Sequence, residues 1–139
     1  FLSSHSERPI LIACEMAARL PALVAILKQH GVEGVEVLSA YREEPYSSFH
    51  TMGMALDINR LYRGRGWLSV QSQYEATPDQ RTCSGPQPSS GAARVLRRIA
   101  CDLYRSGKFQ SVLTPNYNEG HRDHFHIDFR PDDPRASLR

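Results

Sequence analysis

The chain has 139 residues, 40% of them apolar and 23% charged, the profile of a globular domain long enough to bury a core. Its longest apolar runs, such as 22–27, fall far short of the roughly 20 residues a membrane-spanning helix needs, so no transmembrane segment is expected. With 17 Lys and Arg against 15 Asp and Glu and a net charge of +2, nucleic acid is not an expected partner.

The basic residues are nearly all arginine, Lys28 and Lys108 being the exceptions, which suits planar anions such as carboxylates. Starting at Phe1 rather than Met, without the basic and apolar start of a signal peptide, the chain reads as a trimmed or processed piece. No period repeats and no linker divides two apolar stretches, so a single domain over 1–139 is expected, with its core at about 10–131. Nothing in the sequence sets an oligomeric state.

In chain order, Pro21 followed by an apolar stretch and closed by His30-Gly31 predicts a helix with Pro in its first turn and Gly just past its end. The preceding Cys14-Glu15-Met16-Ala17-Ala18 either extends it or forms a separate turn. Residues 35–40, rich in β-branched side chains, predict a strand delivering Tyr41 and Arg42 to a rim. Strands are expected at 54–58 and 67–70, joined through Arg63-Gly64-Arg65-Gly66. Residues 76–91, with Pro78, Gly85, Pro86, Pro88 and Gly91, form a long loop. Val95, Leu96, Ile99, Leu103 and Tyr104 then share one helical face, while Arg94, Arg97, Arg98 and Arg105 occupy the others and read as solvated surface. Strands at 111–113 and 125–129 complete a small antiparallel or mixed sheet with helices packed on it, an α+β fold.

Cys14, Cys83 and Cys101 allow one disulfide in an oxidising compartment or three thiols in a reducing one, and the lack of a CxxC excludes a zinc finger. Four of the six histidines fall in two clusters, Ser48-Phe49-His50-Thr51-Met52-Gly53-Met54-Ala55-Leu56-Asp57 and His121-Arg122-Asp123-His124-Phe125-His126. A catalytic zinc takes three protein ligands and leaves a fourth position for water. His50, Asp57 and His126 supply such a set if Gly53 lets the chain turn between the first two. His124 and His126, two apart, project to one face of a strand, so one can bind metal while the other faces the substrate.

The pattern Ser48-x-His50-x-x-Gly53-x-Ala55-x-Asp57 followed by Asp123-His124-x-His126 resembles the zinc D-alanyl-D-alanine peptidases and their LAS relatives. Leu113-Thr114-Pro115-Asn116-Tyr117-Asn118 running into His121 is similar to the extensin-like C-terminal family of that group. The resemblance covers about 14–130 and implies the LAS and Hedgehog type of fold, with zinc held by His50, Asp57 and His126. It makes Asp123 the general base, with His124 as its rival, and puts Arg42 of Ser39-Ala40-Tyr41-Arg42 opposite the developing oxyanion. Ser48, His121 and Tyr41 are then substrate-binding groups. One departure is that many extensin-like members carry a cysteine between the positions of Tyr41 and Arg42, absent here, so disulfide pairing is not carried over. A Cys83–Cys101 bridge, which would pin the Pro/Gly-rich loop to the following helix, is the expected pairing, with Cys14 a buried thiol.

What the resemblance implies is a periplasmic or secreted zinc peptidase acting on peptidoglycan stem peptides or cross-links, of the D,D-endopeptidase or D,D-carboxypeptidase type. A zinc-containing cell-wall or ligand-binding domain without turnover is the alternative. A nuclease is disfavoured by the lack of a basic groove.

Overall fold

The structure, a computed structural model, describes residues 2–4, 9–78, 80–132 and 137–139. Strand β1 (Leu2–Ser4) is followed by a single helical turn, α1 (Cys14–Ala17), and by helix α2 (Leu20–Gln29). Pro21 lies in the first turn of α2, where its missing N–H breaks no helical hydrogen bond, and Gly31 at φ 71° leads the chain out. Then come β2 (Val32–Ser39), a 3₁₀ turn over Phe49–Met52, β3 (Ala55–Arg63), β4 (Gly66–Ser69) and the short α3 (Val70–Gln73). Helix α4 (Gly91–Arg105), β5 (Ser111–Leu113), a 3₁₀ turn over Glu119–His121, β6 (Phe125–Asp128) and β7 (Ser137–Leu138) complete the chain.

The strands form one mixed sheet in the order β1-β2-β3-β6-β5-β7, with β4 pairing the second half of β3 beyond β6. Leu23 and Leu27 of α2 and Leu96, Ile99 and Leu103 of α4 belong to the same buried cluster as Val35, Val37, Leu56, Ile58, Phe125 and Ile127 of the central strands. The fold is therefore α+β, with helices covering one face of the sheet. Alternation sends the intervening residues Asp57, His126 and Asp128 to the other face, where the site lies.

β3 runs well past the 54–58 expected of it. Its register with β2 steps from Glu36↔Arg60 to Val37↔Ile58, leaving Asn59 as an extra residue, a bulge that breaks the period-two pattern a sequence reading relies on. Asn59 Nδ2 and Arg60 Nε both donate to Glu36, at 3.0 and 2.9 Å. The next strand ends at Ser69 instead of Val70 because the Ser69 hydroxyl accepts from the Ser72 amide and starts α3.

Arg94, Arg98 and Arg105 of α4 are exposed as expected, and Arg97 alone corrects the expectation of a solvated face. Arg97 is buried and its guanidinium donates to the carbonyls of Pro86 and Gly85, while Arg94 donates to those of Pro88 and Ser89. Together with the Cys83–Cys101 disulfide they fasten the long loop to the helix. Glu75 closes the loop by accepting from the Ser89 and Ser90 amides, which pulls its carboxyl down to about 2. Cys14, expected as a buried thiol, is free and exposed, because the buried position of its turn is taken by Met16.

Candidate metal centre

His50 is placed by a turn built for it. Ser48 caps the 3₁₀ turn, its hydroxyl accepting from the His50 amide at 3.3 Å, and its carbonyl accepts from the Thr51 hydroxyl at 2.7 Å. Gly53 ends the turn at φ 66°, and a Cβ there would meet the Ala13 nitrogen at 2.8 Å, so glycine answers both the backbone conformation and the close approach of the neighbouring chain. The segment after β2 clasps the same residue: the Ala40 carbonyl accepts from His50 Nδ1, and the Arg42 amide donates to the His50 carbonyl at 3.4 Å.

With Nδ1–H committed to Ala40, His50 presents its Nε2 lone pair to the site. That nitrogen lies 3.1 Å from Asp57 Oδ1 and 3.2 Å from His126 Nδ1, and His126 Nδ1 lies 2.9 Å from Asp57 Oδ1. His126 is oriented from behind, its Nε2 3.3 Å from Asp128 Oδ2. Asp128 is fully buried and also accepts from Arg130, at 2.9 Å, and from the Ser111 amide, at 3.1 Å. Asp57↔His126 are direct partners in the β3–β6 register, so the sheet itself brings the two side chains together.

Three acceptor atoms thus converge, and a single proton shared among them offsets the convergence only in part. Burial disfavours a charge on His126, but its hydrogen bonds to Asp128 and Asp57 outweigh this and raise it to about 9. Burial likewise pushes Asp57 up, yet the hydrogen bonds from His126 and His50 hold it well below the carboxylate range. A divalent cation engages all three atoms at once. Tetrahedral bonds of about 2.0–2.1 Å set ligand atoms about 3.3 Å apart, close to the spacing here, and two imidazoles with a carboxylate suit zinc. His50, Asp57 and His126 are the group of described residues whose ligand atoms all lie within 4.8 Å of one another, and they fit the ion.

Around this centre the other expected residues take distinct places. His124 Nε2 is 3.4 Å from Asp57 Oδ1, so His124 and His126 do share a face, although His124 precedes the strand. Asp123 does not reach the centre: its Oδ1 accepts from His124 Nδ1 at 2.7 Å. His121 leans its ring against those of Tyr117, His124 and His126, at 5.1, 5.2 and 5.7 Å, and donates from Nδ1 to Asn118 Oδ1 at 2.7 Å. Burial first, then the charges of His124 and His126, push His121 down to about 4, with Arg42 adding to the effect. Arg42 is exposed at the rim and among the described residues makes no ion pair with Glu43 or Glu44. Tyr41 is half exposed beside Thr51 and Met52.

Sequence reasoning missed Asp128 and Arg130. The signal for Asp128 was present, because His126-x-Asp128 continues the spacing of His124-x-His126 along one strand face. It also missed what Asn116 does, which is to join the long loop to the segment after β5: its Oδ1 accepts from the Thr77 amide and its Nδ2 donates to Thr82 at 3.0 Å.

No curated protein and no solved structure matches the chain. The family described as extensin-like protein C-terminus matches it over residues 7–136, and the chain belongs to that family.

Proposed function

We propose that the protein is a zinc-dependent peptidase acting on peptidoglycan stem peptides or their cross-links, in the manner of the D,D-endopeptidases or D,D-carboxypeptidases its motifs resemble, on a scaffold of the LAS type. The observation that carries the reading is the convergence of His50 Nε2, Asp57 Oδ1 and His126 Nδ1 with both imidazoles held from behind in the ligating tautomer. A zinc ion bound there supplies Lewis acidity and an acidified water.

The chain's own groups divide the remaining work. His124, beside Asp57 and backed by Asp123, is the group that takes and returns a proton at Nε2, and Asp123 orients it by accepting from Nδ1. This arrangement favours His124 as the group that faces the reaction, with Asp123 acting through it. Arg42, always charged and free of its neighbouring glutamates, is available to offset charge developing on a scissile carbonyl oxygen. His121, held neutral near pH 7, and the half-exposed Tyr41 are the groups proposed to contact substrate.

A periplasmic or secreted location goes with this substrate, and the Cys83–Cys101 disulfide fits an oxidising compartment. Among the described residues no helix is long and apolar enough to cross a membrane. The reading is tested by incubating the protein with muropeptides bearing intact stem peptides, with and without chelator. Chelator-sensitive release of amino acids or un-cross-linked products is expected. Tight retention of the muropeptide without cleavage in the zinc-loaded protein would identify a binding domain instead.

A further inference from the structure

The bulge in β3 has an effect beyond register. Strict alternation after Asp57 would turn Arg60 and Tyr62 towards the helices. The extra residue at Asn59 instead returns both to the face of the metal centre and sends Leu61 into the core. β4 then sets Trp67 directly opposite Tyr62. Trp67, the single tryptophan of the chain, is 43% exposed, with the Tyr62 ring 5.4 Å away at 60° and the Arg60 guanidinium 5.2 Å over its own ring. It is a fixed aromatic plane that meets solvent.

Between this plane and the centre lies a hollow lined in part by Asn59, Arg60, Gln71 and Asp123. Asp123 belongs to both places, since it holds His124. The hollow is not an anion site: Arg60 is already offset by Glu36, and Asp123 adds a negative charge. Asn59 gives Nδ2 to Glu36, and its Oδ1 is a buried acceptor without a partner among the described residues. Tyr62 lies five steps along the strand from Asp57, one of them taken up by the bulge, so at ~3.3 Å per residue the strip is about 13 Å long. An aromatic plane beside an amide and a carboxylate that can accept from hydroxyls suits a polyhydroxylated ring far better than a carboxylate or a lipid.

We propose that this strip is a carbohydrate subsite, in which Trp67 stacks on a sugar ring and the accessible Gln71 and Asp123 bond its hydroxyl or acetamido groups. The identity of the sugar rests on the peptidoglycan reading, which places the glycan strand next to the stem peptide. Because Trp67 is the sole tryptophan, its fluorescence reports the site directly. Titrating the protein with a tetramer of β-1,4-linked N-acetylglucosamine is expected to give a saturable change in emission. By calorimetry, Trp67→Ala is expected to weaken that binding about tenfold or more, and Trp67→Phe to keep it within about threefold. No saturable change, equal affinity in Trp67→Ala, or a response to a sugar-free stem peptide in place of the tetramer would overturn the proposal. The titration needs neither metal nor turnover, so sugar binding without cleavage of muropeptides would remove the peptidase reading alone, and cleavage without sugar binding would remove the subsite alone.

Discussion

Asp128→Asn probes how much of the centre is built behind its ligands. The buried carboxylate takes Arg130 Nη2 at 2.9 Å, Arg130 Nε at 3.2 Å, the Ser111 amide at 3.1 Å and His126 Nε2 at 3.3 Å. An asparagine of the same shape keeps one acceptor oxygen and sets an NH₂ group against donors on whichever side it faces. Breaking a fully buried ion pair costs roughly 3–5 kcal/mol. Arg130 keeps 30% of its side chain in solvent, which brings the expected loss of fold stability down to about 1–3 kcal/mol. The larger consequence is at the metal. Losing the carboxylate behind a ligating imidazole typically lowers affinity 10- to 100-fold, about 1.4–2.7 kcal/mol. Competition against a chromophoric chelator measures the zinc affinity, and urea unfolding of the metal-free protein measures the fold. Wild-type zinc affinity in Asp128→Asn would refute the reasoning that His126 is held in its ligating tautomer by Asp128.

Arg42→Lys should leave zinc content unchanged and lower kcat by about 10²- to 10³-fold, because an ammonium does not reproduce the guanidinium fork; an unchanged kcat removes Arg42 from the catalytic set. His124→Ala should lose roughly 10² to 10⁴ in rate with zinc retained, and Asp123→Asn should lose less while altering the pH–rate profile, as a residue acting through another does; the reverse order would make Asp123 the base. The metal-free protein should be most stable near pH 6.5. Raised to about 9, His126 contributes stability that is present below 6.5 and lost as the pH climbs through 9. Lowered to about 4, His121 makes stability fall as the pH drops from 6.5 towards 4. Chemical denaturation across this range checks both limbs, and a steady rise in stability from pH 6.5 to 9 would contradict the first.

The convergence of His50, Asp57 and His126 was legible because their residue types and short spacing suit one another, and because Gly53 marked the turn between His50 and Asp57. Strand ends were legible where alternation was unbroken, as at Ser111–Leu113. They were not legible at Asn59, where a bulge depends on pairing with a strand more than 20 residues earlier. The burial of Arg97 was invisible for a related reason: an arginine on the polar side of a helix looks solvated until a loop folds over it, and the carbonyls of Gly85 and Pro86 carry no signal in their side chains. Asp123 and His124 share both cluster and spacing, and only the side-chain directions assign one to the centre and the other behind it.

The central claim is that His50, Asp57 and His126 hold a resident zinc, and elemental analysis of protein purified without chelator tests it most directly. One zinc per chain is predicted, lost in His126→Ala, whose missing imidazole removes one of the three ligand atoms. Protein free of any transition metal, or a zinc content untouched by His126→Ala, would contradict the account.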